Sequence, residues 1–124
     1  MSDSLNVIVI DDDESISNLL SEILRLWNHE VIVLHDSKEA YQLIKERNFD
    51  IIFTDVLMPN YNGLELMEKV AEDKPELKDR FVFMTGLSSD HNIELENLLV
   101  MEKPFKIREV KEIMDKVSER INRK

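Results

Sequence analysis

Four apolar segments of this chain end in polar groups of a kind that could act together. Residues 7–10, "VIVI", run into Asp11, Asp12 and Asp13, and "DIIFTD" closes on Asp55. "VFMTG" closes on Thr85 and Gly86, and "NLLVMEKPF" carries Lys103 and Pro104. Carboxylates brought within a few ångströms repel one another unless a cation sits among them, and oxygen-only ligands suit a hard ion such as Mg²⁺. Mg²⁺ takes one or two protein carboxylates, keeps several waters and leaves room for a phosphoryl oxygen. Thr85 can donate a hydrogen bond to a second phosphoryl oxygen, and the Lys103 ammonium can neutralise a third. Gly86 leaves space for entry. Asp55, at the centre, is the carboxylate placed to attack phosphorus and become an acyl phosphate. Phosphoryl transfer needs mainly positioning and charge stabilisation, so one metal and one lysine suffice.

Each group alone has a plainer reading. An Asp run after a strand is more often a helix cap and a solvated corner, and Asp13 and Glu14 fit that role. A lone Lys-Pro is usually a surface turn. The joint occurrence at four segment ends carries the inference, because all the plainer readings would have to coincide.

The segments between these groups alternate regularly. Residues 5–10, "LNVIVI", are short, β-branched and apolar, as in a parallel strand covered on both faces. Ile16, Leu19, Leu20, Ile23, Leu24 and Trp27 then recur at helical spacing, predicting an amphipathic helix from Glu14 to about Asn28. "EVIVLH" at 30–35 is a second strand, and "DSKE" resembles a capping box, with Asp36 as N-cap and Glu39 three residues on. A helix continues from there to about Arg47, "FDIIFTD" is the third strand, and "MPNYNG" is a turn. The next helix spans Leu64 to about Glu72 and ends at "DKPELKD". "RFVFMTG" and "NLLVMEKPF" hold the fourth and fifth strands, and the last helix spans Lys106 to Arg123. Such alternation predicts an α/β fold, an open, doubly wound parallel sheet with helices on both faces, whose ligands bind at the carboxyl ends of the strands. "LSSDHNIELE", between strands four and five, is sparse in apolar positions. It predicts a fourth helix that is shortened, shifted or mobile.

Composition narrows the classes. At 124 residues the chain suits one domain, 1–124, large enough to bury a core. Cysteine is absent, which excludes disulfides, thiolate zinc sites and cysteine nucleophiles. The formal charge of −10 disfavours polyanionic partners, so neither nucleic acid nor membrane is expected to bind. No apolar run reaches the ~18 residues of a membrane span and "MSDSLN" lacks the layout of a signal peptide, so a cytoplasmic protein is expected. His29, His35 and His91 form no triad or metal set and read as surface or structural. No GxGxxG or GxxxxGK[ST] supports a nucleotide site.

The pieces "VIVIDDDE", "DIIFTDVLMPNYNG", "VFMTG" and "EKPF", in this order and spacing, resemble the receiver domains of two-component response regulators. The resemblance implies a flavodoxin-like sheet of strand order 2-1-3-4-5. It implies Asp55 as phosphoacceptor, Asp11 and Asp12 as the acidic pair holding Mg²⁺ with Asp55, and the Leu57 backbone carbonyl as a further ligand. It implies Thr85 as the switch hydroxyl, Lys103 as the lysine on the phosphoryl group, and a cis Lys103–Pro104 peptide. A histidine kinase or histidine phosphotransfer protein is the implied donor, with a downstream protein as target; homodimerisation is left open. The protein would then catalyse only its own phosphorylation and dephosphorylation. Where the family has Tyr or Phe, three residues before Lys103, this chain has Val100. Leu57 and Leu87, flanking the mouth, cannot orient a water, so slow autodephosphorylation is expected. A stand-alone regulator and a receiver from a longer chain both fit, with Met1 favouring the first at its end. Two alternatives remain: a pseudo-receiver that signals without phosphorylation, and a Mg²⁺-dependent phosphohydrolase. The second is disfavoured by Leu57, where such enzymes place a second Asp.

Overall fold

A computed structural model describes residues 4–57, 61–86 and 98–122. In chain order these form β1 (Asn6–Ile10), α1 (Glu14–Leu26), β2 (Glu30–Leu34), α2 (Ser37–Glu46), β3 (Ile51–Asp55) and α3 (Gly63–Asp73). A 3₁₀ turn (Pro75–Arg80), β4 (Phe81–Thr85), β5 (Leu99–Glu102) and α4 (Ile107–Asn122) complete the order. The five strands form one parallel sheet in the order β2-β1-β3-β4-β5, as expected.

The unbroken apolar runs of the strands are explained by burial on both faces. In β1, Val7 and Val9 enter one core with Leu20, Leu24 and Val117, so α1 and α4 cover that face. Ile8 and Ile10 enter the other with Ala40, Ile44, Leu66 and Val70, under α2 and α3. In β3 the same alternation sends Phe53 one way and Ile52 the other. The register pairs Ile10 with Thr54, Asp55 with Met84, and Thr85 with Glu102, so the carboxyl ends of the inner strands finish side by side.

Local chemistry sets the ends of the helices. Asp13 caps α1, accepting from the N–H groups of Ser15 at 3.0 Å and Ile16 at 3.3 Å. Asp36 caps α2 through the Lys38 N–H at 2.8 Å. A reciprocal capping box forms at α3, where the Asn62 side chain accepts from Glu65 N–H and Glu65 accepts from Asn62 N–H. The far end of α2 is held by Lys74, whose ammonium donates to the carbonyls of Ile44 (2.7 Å) and Arg47 (3.1 Å).

The "DKPELKD" segment does more than end a helix. Pro75 disfavours helical backbone at Lys74, whose φ and ψ are −134° and 74°, so α3 stops there. Pro75 then starts the 3₁₀ turn, where its missing N–H costs nothing, and Leu77 drops into the second core. The fourth helix expected between Asp90 and Leu98 falls, Leu98 excepted, outside the described residues. No described helix is long and apolar enough to cross a membrane.

His29 is structural, as expected. Asn28 turns the chain from α1 to β2 with φ at 70°, and His29 Nδ1 accepts the Leu5 N–H at 3.1 Å. Burial lowers its pKa below the ordinary value of 6.5. A base with a lowered folded pKa protonates first in the unfolded chain, so stability is unaffected well above 6.5 and is lost as pH falls below it. Urea midpoints between pH 7 and pH 5 should therefore fall less in His29→Gln than in the wild-type protein; equal slopes would contradict this.

Candidate metal centre

The site is built by three strand ends. β1 delivers Asp11 and, one residue on, Asp12; β3 delivers Asp55; the residue after β5 is Lys103. Carboxylate oxygens of Asp11, Asp12 and Asp55 all lie within 4.8 Å of one another. Lys103 Nζ bridges two of them, donating to Asp11 Oδ2 at 2.9 Å and Asp55 Oδ2 at 3.0 Å. Asp11 is fully buried, the Lys103 and Asp55 side chains are 14% and 13% exposed, and Asp12 faces solvent.

The other carboxylate oxygens of Asp11 and Asp55 are also engaged. Asp11 Oδ1 accepts the Asp13 N–H at 2.9 Å, and Asp55 Oδ1 accepts the Leu57 N–H at 3.2 Å. Thr85 is buried at the neighbouring strand end, and its carbonyl accepts the Lys103 N–H at 2.7 Å. Among the described residues, its chain neighbours aside, no atom lies within 4 Å of where a Cβ on Gly86 would stand. The Lys103–Pro104 peptide is cis.

The electrostatics reflect burial and crowding. Burial raises the Asp11 pKa above the ordinary 3.8; the Asp13 N–H and Lys103 oppose the rise, and the charge of Asp55 adds to it. For Lys103, burial pulls the pKa down, but the hydrogen bonds and charges of Asp11 and Asp55 outweigh it and the value is raised above 10.5. Three carboxylates and one ammonium leave the cluster short of two positive charges. An all-oxygen donor set with that deficit fits a hard divalent ion.

Asp11, Asp12, Asp55 and Lys103 thus come together as the sequence predicts, with Thr85 and Leu57 beside them. Three contributors escape sequence reasoning. His35 Nδ1 lies 2.8 Å from the Asp11 carbonyl oxygen. Ser37 Oγ bonds both backbone groups of Tyr61 at 3.0 Å. At Gly63 a Cβ would stand 2.6 Å from the Asp55 carbonyl oxygen. The turn signal "YNG" flags the glycine but not what it approaches, and Ser37 reads only as part of a cap. His35 carries no local signal, because its partner is 24 residues away.

Residues 7–115 match the family model of the response regulator receiver domain. The chain belongs to the response regulator receiver family. Among this receiver's relatives is the response regulator receiver protein CpdR of Brucella abortus, 27% identical over 116 residues, covering 90% of this chain and 94% of that protein. The DNA-binding transcriptional regulator NtrC of Azospirillum brasilense is 26% identical over 114 residues, covering 89% of this chain and 23% of that one. The solved receiver domain of the Francisella response regulator 1452 superposes with a TM-score of 0.79 at 26% identity, covering 96% of this chain and 100% of that domain. The receiver spans less than a quarter of the length of several curated relatives it matches. It is a receiver of two-component signalling.

Proposed function

We propose that residues 1–124 act as one receiver domain in the cytoplasm, taking a phosphoryl group onto Asp55 from a phosphohistidine of a kinase or phosphotransfer protein. The observation that carries this is the Asp55 carboxylate, held 3.0 Å from Lys103 Nζ and within 4.8 Å of the Asp11 and Asp12 oxygens. An Asp55 oxygen attacks phosphorus, the phosphorus–nitrogen bond of the donor breaks, and the released imidazole takes up a proton. Asp11, Asp12, Asp55 and the Leu57 carbonyl would hold Mg²⁺. When bound, that ion supplies the positive charge that lets three carboxylates stand together beside an incoming anion. Lys103 turns its ammonium from Asp55 toward a phosphoryl oxygen, and the Thr85 hydroxyl donates to another. The open side of Gly86 admits the group.

Turnover of other substrates is not part of this reading. The Leu57 side chain, 62% exposed at the mouth, offers no polar atom to orient a water, so the acyl phosphate should persist for minutes or longer. Leu87, the other residue invoked for slow loss, lies outside the described residues. Val100 is half-buried against the core under α2 and α3, so an aromatic exchange at β5 has no side chain to perform it. Output to a downstream protein then rests on Thr85 and the backbone it shares with Lys103.

Intact mass after incubation with acetyl phosphate and Mg²⁺ tests this. The wild-type protein should gain one phosphoryl adduct, stable over minutes, and Asp55→Asn none. An unmodified wild-type protein that still binds Mg²⁺ would favour a pseudo-receiver. Catalytic release of phosphate from other esters would favour a hydrolase.

A further inference from the structure

The corner between β2 and α2, residues 35–37, supplies none of the charged groups of the site, yet it bonds the backbone of Asp11 and that of Tyr61, on the segment following β3. The first contact is to β1. Asp11 donates its N–H to the Leu34 carbonyl at 3.1 Å, and its own carbonyl faces His35 Nδ1 at 2.8 Å, so both peptide groups of Asp11 are tied to the end of β2. With the proton on Nδ1, the ring donates to that carbonyl.

The second contact is to the loop after β3. Ser37 is fully buried, and its hydroxyl donates to the Tyr61 carbonyl and accepts the Tyr61 N–H, both at 3.0 Å. Tyr61 lies two residues before Gly63, whose N–H donates to the Val56 carbonyl at 2.7 Å and which packs on the Asp55 carbonyl. One hydroxyl bonding both backbone groups of the same residue sets that residue's rotation as well as its distance. Without it, the N–H and carbonyl of half-buried Tyr61 lose this partner, and Tyr61 must shift to find another.

We propose that His35 and Ser37 are positioning residues of the metal centre: the β2–α2 corner sets the spacing between the Asp11 backbone and the Asp55–Val56 backbone, the latter through Tyr61 and Gly63. The inference rests on the Mg²⁺ site proposed above. Groups that orient the ligands of a metal typically change its affinity by about 10- to 100-fold. Ser37 and His35 act at one further remove, through backbone, which places the expected change near the lower end.

Calorimetric titration of the full chain with MgCl₂ tests it. Ser37→Ala and His35→Leu should each weaken Mg²⁺ binding roughly tenfold, while His35→Asn, which keeps a side-chain N–H, should stay near wild type. Lys74→Met removes the carbonyl cap at the other end of α2 and serves as the control for general destabilisation; its Mg²⁺ affinity should be unchanged. His35 is exposed, so His35→Leu carries the same readout if Ser37→Ala does not fold. Asp12→Ala, solvent-facing and outside the corner, reports on the metal site itself. If Asp12→Ala weakens binding while Ser37→Ala and His35→Leu bind as wild type, or if Lys74→Met loses as much as they do, the positioning role is overturned and the metal site stands. If wild type binds no Mg²⁺, or Asp12→Ala binds unchanged, both fall.

Discussion

Lys103→Met should lower the stability of the metal-free protein by about 3 kcal/mol at neutral pH, because it leaves buried carboxylates without their counter-charge. Lys103 is the cation that contacts both Asp11 and Asp55, and Asp11 has no solvent to fall back on. The loss stays at the low end for a broken buried pair because Asp11 can take a proton, and burial already raises its pKa. An acid whose folded pKa is raised favours the folded state when protonated, so the variant regains stability as pH falls through that pKa and the gap to wild type narrows. Mg²⁺ should raise the stability of both proteins, since an ion that binds only the folded form at ~100 times its dissociation constant adds about 2.7 kcal/mol. Urea unfolding of both proteins in EDTA and in excess Mg²⁺ measures this. A variant as stable as wild type in EDTA would mean that the ammonium does not balance the cluster.

Gly63→Ala should cost about 3 kcal/mol, at the upper end for overpacking, because the added Cβ meets backbone and not a movable side chain. It would stand 2.6 Å from the Asp55 carbonyl oxygen, and 3.2 Å from both Thr54 Cγ2 and Val56 Cα. That carbonyl also accepts the Thr54 hydroxyl at 3.0 Å, so it cannot swing away without breaking a bond in a buried place. Relief requires β3 and α3 to part, which moves Asp55 relative to Lys103. Both unfolding free energy and the rate of phosphorylation by acetyl phosphate should therefore fall. A loss under about 0.5 kcal/mol, the scale of ordinary surface changes, would show that the strand and helix part freely.

The charged set was readable from sequence because strand ends in a parallel sheet are marked twice, by where an apolar run stops and by what polar residue comes next. Asp11 and Thr85 carry both marks directly, and Asp55 and Lys103 stand one residue further on, after Thr54 and Glu102. The alternation of strand and helix was readable for a similar reason: burial on both faces leaves β1, β3 and β4 almost wholly apolar, while α1 and α4 keep a stripe. Contacts between backbone and distant side chains carried no such mark. Nothing local distinguishes the Ser37 that binds Tyr61 from a serine in a cap, or the Gly63 packed on Asp55 from a glycine in an open turn. The 3₁₀ turn at Pro75–Arg80 was hidden because a proline interrupts a helix without dictating the conformation of the residues after it.

The bond from Lys103 to Asp11 joins residues 92 positions apart. A ribosome makes the chain from its amino end, so the acidic trio is complete in the nascent polypeptide long before its lysine has been added. Until β5 docks, those carboxylates stand without the ammonium that bridges Asp11 and Asp55. The balanced cluster therefore exists only once the last strand of the sheet has been made and paired, so the charge balance at the carboxyl end of β1 depends on the pairing of β5 with β4.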